Sequence, residues 1–383
     1  MRGHLAIVAA VVLVDTAFFA ALSPLLPQYA AMLGLTKTMA GILAGAFGAG
    51  VLVAAIPSGL IAGRLGVRAT LLVGLAVTAI TSLAFGLGHG LGVLLVARFV
   101  SGIGSACSWT AAIGWLARTA PPERRGELIG TALSAAVGGA LLGPVLGGAA
   151  AWAGTGVAFG AMALAFVGLA IRVAMLSDPG GKETSVTVVR ALAEPRVRAS
   201  LGLILLAPLL FGALGVLVPL RLAGLGWDPG RLGALFMAAA ALEGVAHPLV
   251  GRWADRRGPL AALSAGLMGS IVALIGLAWA GNAANLAGLV VLASVTFGAT
   301  FVPAAALLIR IADAAGFGSV LPVALMNFAW ALGHAVGAPG SGWLADRAGE
   351  TVTYLGLAAL CALILLGVRH GAARFTVEAW PRP

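Results

Sequence analysis

Gly59-Leu-Ile-Ala-Gly63-Arg64-Leu-Gly66-Val-Arg68 follows one apolar run of helical length, and Gly251-Arg-Trp-Ala-Asp255-Arg256-Arg257-Gly258 follows another, 192 positions further on. At the same offset Gly41 falls on Gly233, Pro27 on Pro219, Arg64 on Arg256 and Gly66 on Gly258. In each copy the glycines permit a tight turn, and the basic side chains anchor it at a polar boundary. The chain therefore consists of two related halves. In an apolar chain such a repeat implies a pseudo-two-fold axis along the membrane normal, with a cavity between the halves.

Composition agrees. Of 383 residues, 61% are hydrophobic and 9% are charged, with a mean hydropathy of +1.06. A soluble domain carries about 25% charged residues, so this chain cannot build a water-facing surface. Twelve apolar segments are readable, enough for twelve spanning helices of ~20–25 residues each. The expected fold is an all-α integral membrane protein with twelve transmembrane helices in two pseudo-symmetric six-helix bundles. Residues 1–176 form the first bundle, 177–199 a central loop, 200–370 the second bundle and 371–383 a tail. The first segment, residues 5–30, reads as one spanning helix; it is too long for the apolar region of a signal peptide, so no cleavable signal is expected.

The net charge of +10 could point to nucleic acid, but the positions of the charges give another reason for it. With the N-terminus inside, eighteen of the 23 Lys and Arg fall in inner loops and ends, four lie outside, and Arg98 sits within a helix. This is the positive-inside bias. It predicts both termini in the cytoplasm, a multi-pass cell-membrane location and no nucleic-acid partner. The two cysteines, Cys107 and Cys361, lie in apolar segments and offer neither a disulfide framework nor a metal spacing. No G-x-x-x-x-G-K-[ST] occurs, so no nucleotide is expected to supply energy.

The loop copies Gly59, Arg64, Gly66 and Gly251, Asp255, Arg256, Gly258 resemble the loop signature of the major facilitator superfamily. The first copy has Gly63 where that pattern has an acid, and the second lacks the trailing basic pair. In the fifth segment Gly130, Gly139, Gly143-Pro144 and Gly147-Gly148 fit G-x(8)-G-x(3)-G-P-x(2)-G-G, which resembles the antiporter motif of that superfamily's proton-coupled drug exporters. Its glycines make a smooth face for a neighbouring helix, and its proline bends the helix. The string from Val14-Asp15 to Pro24-Leu-Leu-Pro27 is similar to the first helix of such exporters. Arg98 resembles the fourth-helix arginine of the superfamily's antiporters. The resemblance covers essentially the whole chain.

Several side chains stand out by depth alone. Asp15 and Glu243 each lie ten residues into their segments, about 15 Å deep at 1.5 Å per residue, and an ionisable group there is a functional hypothesis by default. His247, one turn from Glu243, either completes a proton relay with it or merely ends the helix before Pro248. Arg98 either faces the cavity, where it needs a partner, or snorkels to the headgroups. Phe19, Trp109, Asn327, Trp330 and His334 are candidates for an aromatic, weakly polar substrate wall. No catalytic or metal residues emerge.

The expected function is a secondary active transporter, a proton-coupled antiporter exporting small apolar or cationic compounds by alternating access. Its partners would be a small-molecule substrate, protons and the bilayer, with the proton gradient in place of any cofactor, and a monomer is expected. Alternatives are a same-fold importer or facilitator of sugars or other small metabolites, or a lipid exporter. A membrane-embedded lipid enzyme would need an acid/base pair such as His-x(4)-Asp or a metal cluster, which the sequence does not present.

Overall fold

The structure, a computed structural model, describes residues 2–121, 124–178, 188–317 and 320–370. Among them twelve helical spans are long and apolar enough to cross a membrane. The first is built from α1 (Arg2–Ala20) and α2 (Leu22–Leu33). Then follow α3 (Lys37–Leu65), α4 (Val67–Leu87), α5 (Leu91–Thr119), α6 (Arg125–Ala153) and α7 (Thr155–Ala174). The short α8 (Val188–Ala193) leads into the second half, α9 (Pro195–Gly224), α10 (Pro229–Arg257), α11 (Pro259–Trp279), α12 (Ala283–Ala314), α13 (Val320–Ala348) and α14 (Glu350–His370). Parts of the expected central loop and the whole expected tail, residues 179–187 and 371–383, lie outside the described residues.

Two boundaries sharpen the sequence reading. The first span runs as one from Gly3 to Leu33 but is interrupted at Ala21, whose φ of −64° and ψ of −20° stay helical. Pro24 has no N–H to give the carbonyl one turn back, which weakens the ladder at that point. The second half begins at Pro195 rather than residue 200, because the Glu194 side chain accepts a hydrogen bond from Arg196 N and caps the helix, with proline at its first position.

The repeat extends to the turns. Gly66 joins α3 to α4 and Gly258 joins α10 to α11, with φ of 87° and 88°. Gly154 and Gly349 make the same one-residue turns at the opposite end, at φ 89° and 88°. Only glycine adopts this backbone without strain, which explains the terminal glycine of each loop copy. Large side chains such as Ile80, Leu164 and Leu363 are about two-thirds exposed or more, as a lipid-facing surface requires.

Two seams join the halves: α3 lies against α13, and α6 against α10. Gly41, Gly45 and Gly48 bring α3 onto the backbone of α13 between Ala331 and Pro339. Gly148 meets Pro229, and Gly233 meets Pro144. These contacts occupy the ends of the helices opposite the chain's N-terminus. Towards the other end Gly59, Gly63 and Gly130 have open space beside them. The halves are thus drawn together at one end, without such contacts at those three glycines.

Candidate functional site

Asp15 is 2% exposed. Its Oδ2 accepts hydrogen bonds from Ser105 Oγ at 2.6 Å and Trp109 Nε1 at 2.8 Å, both from α5. Its Oδ1 is buried without a partner. A buried carboxylate oxygen without a donor is costly, and a proton or a cationic ligand removes that cost.

The helix that carries Asp15 is held by α6. A methyl group at Gly139 would lie 2.6 Å from Thr16 Cβ, and one at Gly143 would lie 2.6 Å from Ala20 Cβ and 2.7 Å from Ala17 O. Gly147 sits on the Ala21 backbone. Three motif glycines therefore hold α1 on both sides of Asp15, while Pro144 and Gly148 face α10 across the seam. Gly130 touches nothing comparable.

Arg98 is 1% exposed and does not snorkel. The partner it needs is not an acid: it forms no ion pair with Asp15. Its guanidinium makes long contacts to the carbonyls of Phe18 (3.5 Å) and Phe19 (3.4 Å), next to the break in the first span. It lies 5.0 Å from the Phe47 ring centroid and 5.6–5.8 Å from those of Phe18, Phe19 and Phe85. Cation–π attraction and the carbonyls at the break replace a counter-ion. These rings had no periodic signal in the sequence, since they come from three spans.

The proposed aromatic wall assembles in part. Phe19 lies one turn from Asp15, and its ring is 5.1 Å from both Trp330 and His334. Trp330 and His334 are 4.7 Å apart. One ring of the first half thus meets two of the second, while Trp109 is engaged with Asp15. Asn327 is half-buried on α13, the helix that carries Trp330 and His334. Glu243 and His247 do not join this group. His247 Nε2 is 3.3 Å from Glu243 Oε1, too poorly aligned for a hydrogen bond, and the pair packs on Gly298 of α12. No contact links it to Asp15. The loop copies also stay within their halves, with Asp255 paired to Arg310 at 3.4 Å.

The family model of the Major Facilitator Superfamily matches residues 8–333 and, separately, 201–376. The chain is 28% identical over 163 residues to the Quinolone resistance protein NorA of Staphylococcus aureus (strain MRSA252), a match spanning 42% of each chain. It is 36% identical over 93 residues to the MFS-type transporter ppzB of Metarhizium rileyi, covering 24% of this chain and 19% of that one. Among solved structures it resembles a bacterial homologue of the human lysosomal transporter Spinster, with a TM-score of 0.80, 14% identity and 99% and 98% of the two chains covered. It also resembles a D-xylose-proton symporter, with a TM-score of 0.77, 15% identity and 96% of each chain covered. The paired six-span halves, the glycine turns and the family match lead to one conclusion: this chain belongs to the major facilitator superfamily and is a multi-pass membrane protein.

Proposed function

We propose that the chain is a proton-coupled antiporter that exports small apolar or cationic compounds from the cytoplasm. The observation that carries this reading is Asp15, a carboxylate inside the first half with two donors on one oxygen and none on the other. A proton on Oδ1 satisfies the site in one phase of the cycle. A cation lying against Phe19, Trp330 and His334 competes for the same charge in the other. Partial similarity to a quinolone resistance protein supports the export direction. The excess of Lys and Arg on the terminus-bearing side supports a cytoplasmic location for both termini in the cell membrane.

The test is reconstitution in proteoliposomes with a trapped pH-sensitive dye. Adding the planar aromatic cation ethidium to a preparation holding an imposed proton gradient is expected to drive proton efflux against ethidium uptake. Ethidium transport with no accompanying proton movement overturns the coupling, and proton movement in the same direction as ethidium overturns antiport.

A further inference from the structure

At the closed end, the first turn of α3 is capped from the opposite half. Asp346 of α13 accepts hydrogen bonds from Lys37 N (3.2 Å) and Thr38 N (2.8 Å) and from Thr38 Oγ1 (2.6 Å). Beside it Lys37 Nζ is 2.5 Å from Glu350 Oε1, and Glu350 Oε2 is 3.7 Å from Arg221 of α9. Gly342 lets α13 come this close, since a methyl group there would lie 3.1 Å from Thr38 Cα.

The sequence marks this place. Gly342-Trp-Leu-Ala-Asp346-Arg347-Ala-Gly349 repeats the spacing of Gly251-Arg-Trp-Ala-Asp255-Arg256-Arg257-Gly258, but at the opposite end of the molecule. In the 251–258 copy the acid pairs within its own half, with Arg310. In the 342–349 copy Arg347 lies over Trp343, 4.8 Å from the ring centroid, and Asp346 turns to the other half. Both helices carry an N-cap of their own, Thr36 accepting from Met39 N at 3.2 Å on α3 and Asp228 accepting from Arg231 N at 3.0 Å on α10, but α3 adds the bonds to Asp346 of the other half.

We propose that Asp346 is a latch that holds the halves closed at the end opposite the termini. A helix N-terminus presents unpaired N–H groups and the positive end of its dipole, so a carboxylate placed there is stabilising. Here the carboxylate and the helix belong to bodies that must part for that end to open, so these bonds exist only in the closed state. The latch acts whatever the substrate or coupling ion, and it stands independently of the antiport reading.

Double electron–electron resonance tests it in the full chain. Spin labels are placed at Met32→Cys and Leu225→Cys, exposed residues of opposite halves at this end, with Cys107 and Cys361 replaced by Ser. Asp346→Ala is expected to raise the open-to-closed ratio about tenfold or more, the ratio expected for losing one hydrogen bond to a charged group. Lys37→Gln combined with Thr38→Val keeps the two backbone bonds but removes the Thr38 Oγ1 bond to Asp346 and the Lys37–Glu350 ion pair across the halves, and is expected to move the ratio the same way by a smaller factor. Asp228→Ala, which removes a cap that does not cross halves, is expected to leave it unchanged. Unaltered distances in both latch variants overturn the proposal, as does an equal shift in Asp228→Ala. Should Asp346→Ala fail to fold, the Lys37/Thr38 variant decides alone.

Discussion

Asp15 in the first half is 2% exposed, with two donors from α5 on one oxygen and the glycine face of α6 fixing the helix that carries it. Glu243, near the middle of α10 in the second half, keeps 21% of its side chain exposed and meets a histidine of its own helix and Gly298 of α12. Two halves built on one repeat thus hold their central carboxylates in different ways. Asp15 is positioned by three helices, so a change there is transmitted to the packing of α1 and to Arg98 at its break. Glu243 and His247 form a local i,i+4 unit whose contacts are the ends of flexible side chains. The first site is pre-organised and the second is adjustable.

The largest test of that contrast is Asp15→Asn. The amide matches the carboxylate in shape, can still accept from Ser105 and Trp109, and cannot exchange a proton. Gradient-driven ethidium export is expected to fall to the level of protein-free vesicles, while the purified protein keeps its elution profile and melting temperature. Export at the normal rate would make Asp15 a structural carboxyl and would remove the functional distinction between the halves.

Next in size is Gly143→Leu. Its side chain would be driven into Ala17 and Ala20, where even a methyl group has no room. Overpacking of this kind costs ~1–3 kcal/mol, and α1 has to move with Asp15 on it. Export is expected to be lost, with a lowered melting temperature. Gly130→Leu, in the same motif but with open space beside it, is expected to leave both close to normal. Equal effects of the two would show that the motif does not act through α1.

This pair of glycines also shows how far the sequence could be read. Span count, repeat and turn glycines were legible because apolar length, offset and the need for a glycine backbone are properties of the chain itself. That Asp15 sits well inside its span was legible by counting residues, and it is buried in the protein. Its donors were not: Ser105 and Trp109 lie four residues apart on α5, and only packing turns that face towards α1. Arg98 was readable as a buried cation in need of a partner, but the sequence did not show that the partner would be aromatic rings and the carbonyls at a helix break. Such a cage is assembled from three spans and leaves no periodic mark. Asp346 and Glu350 look like ordinary charges at helix ends, although the glycine spacing around Asp346 repeats that of residues 251–258.

A smaller, more specific effect is expected at Glu243 and His247. If the two relay protons, Glu243→Gln uncouples proton flux from ethidium flux, and His247→Ala slows export to a degree that depends on the pH at the terminus-bearing side. If Glu243 instead binds cations directly, Glu243→Gln weakens ethidium binding, spares a neutral substrate and keeps the proton-to-substrate ratio. Binding and proton release measured separately distinguish the two. Full coupling in both variants would leave Asp15 as the sole carrier.

The smallest expected effect belongs to Gly298→Ala, and it probes the adjustable site without deleting any polar group. The added methyl would lie 2.7 Å from His247 Nε2, 2.8 Å from Glu243 Oε1 and 2.9 Å from Glu243 Cγ. These atoms belong to side chains that can swing aside, unlike the backbone of α1 facing Gly143, so the protein is expected to fold normally. Displacing such a side chain from its rotamer costs ~0.5–1.5 kcal/mol, which limits the loss of export rate to about tenfold. A functional pair would still register the displacement as an altered pH profile of export. Gly288→Ala on the same helix, with open space beside it, controls for the gain in helix propensity, about 1 kcal/mol. A pH profile unchanged in Gly298→Ala would mean that the geometry of the pair does not matter to transport. A melting temperature lowered as far as in Gly143→Leu would mean that the second site is as rigid as the first.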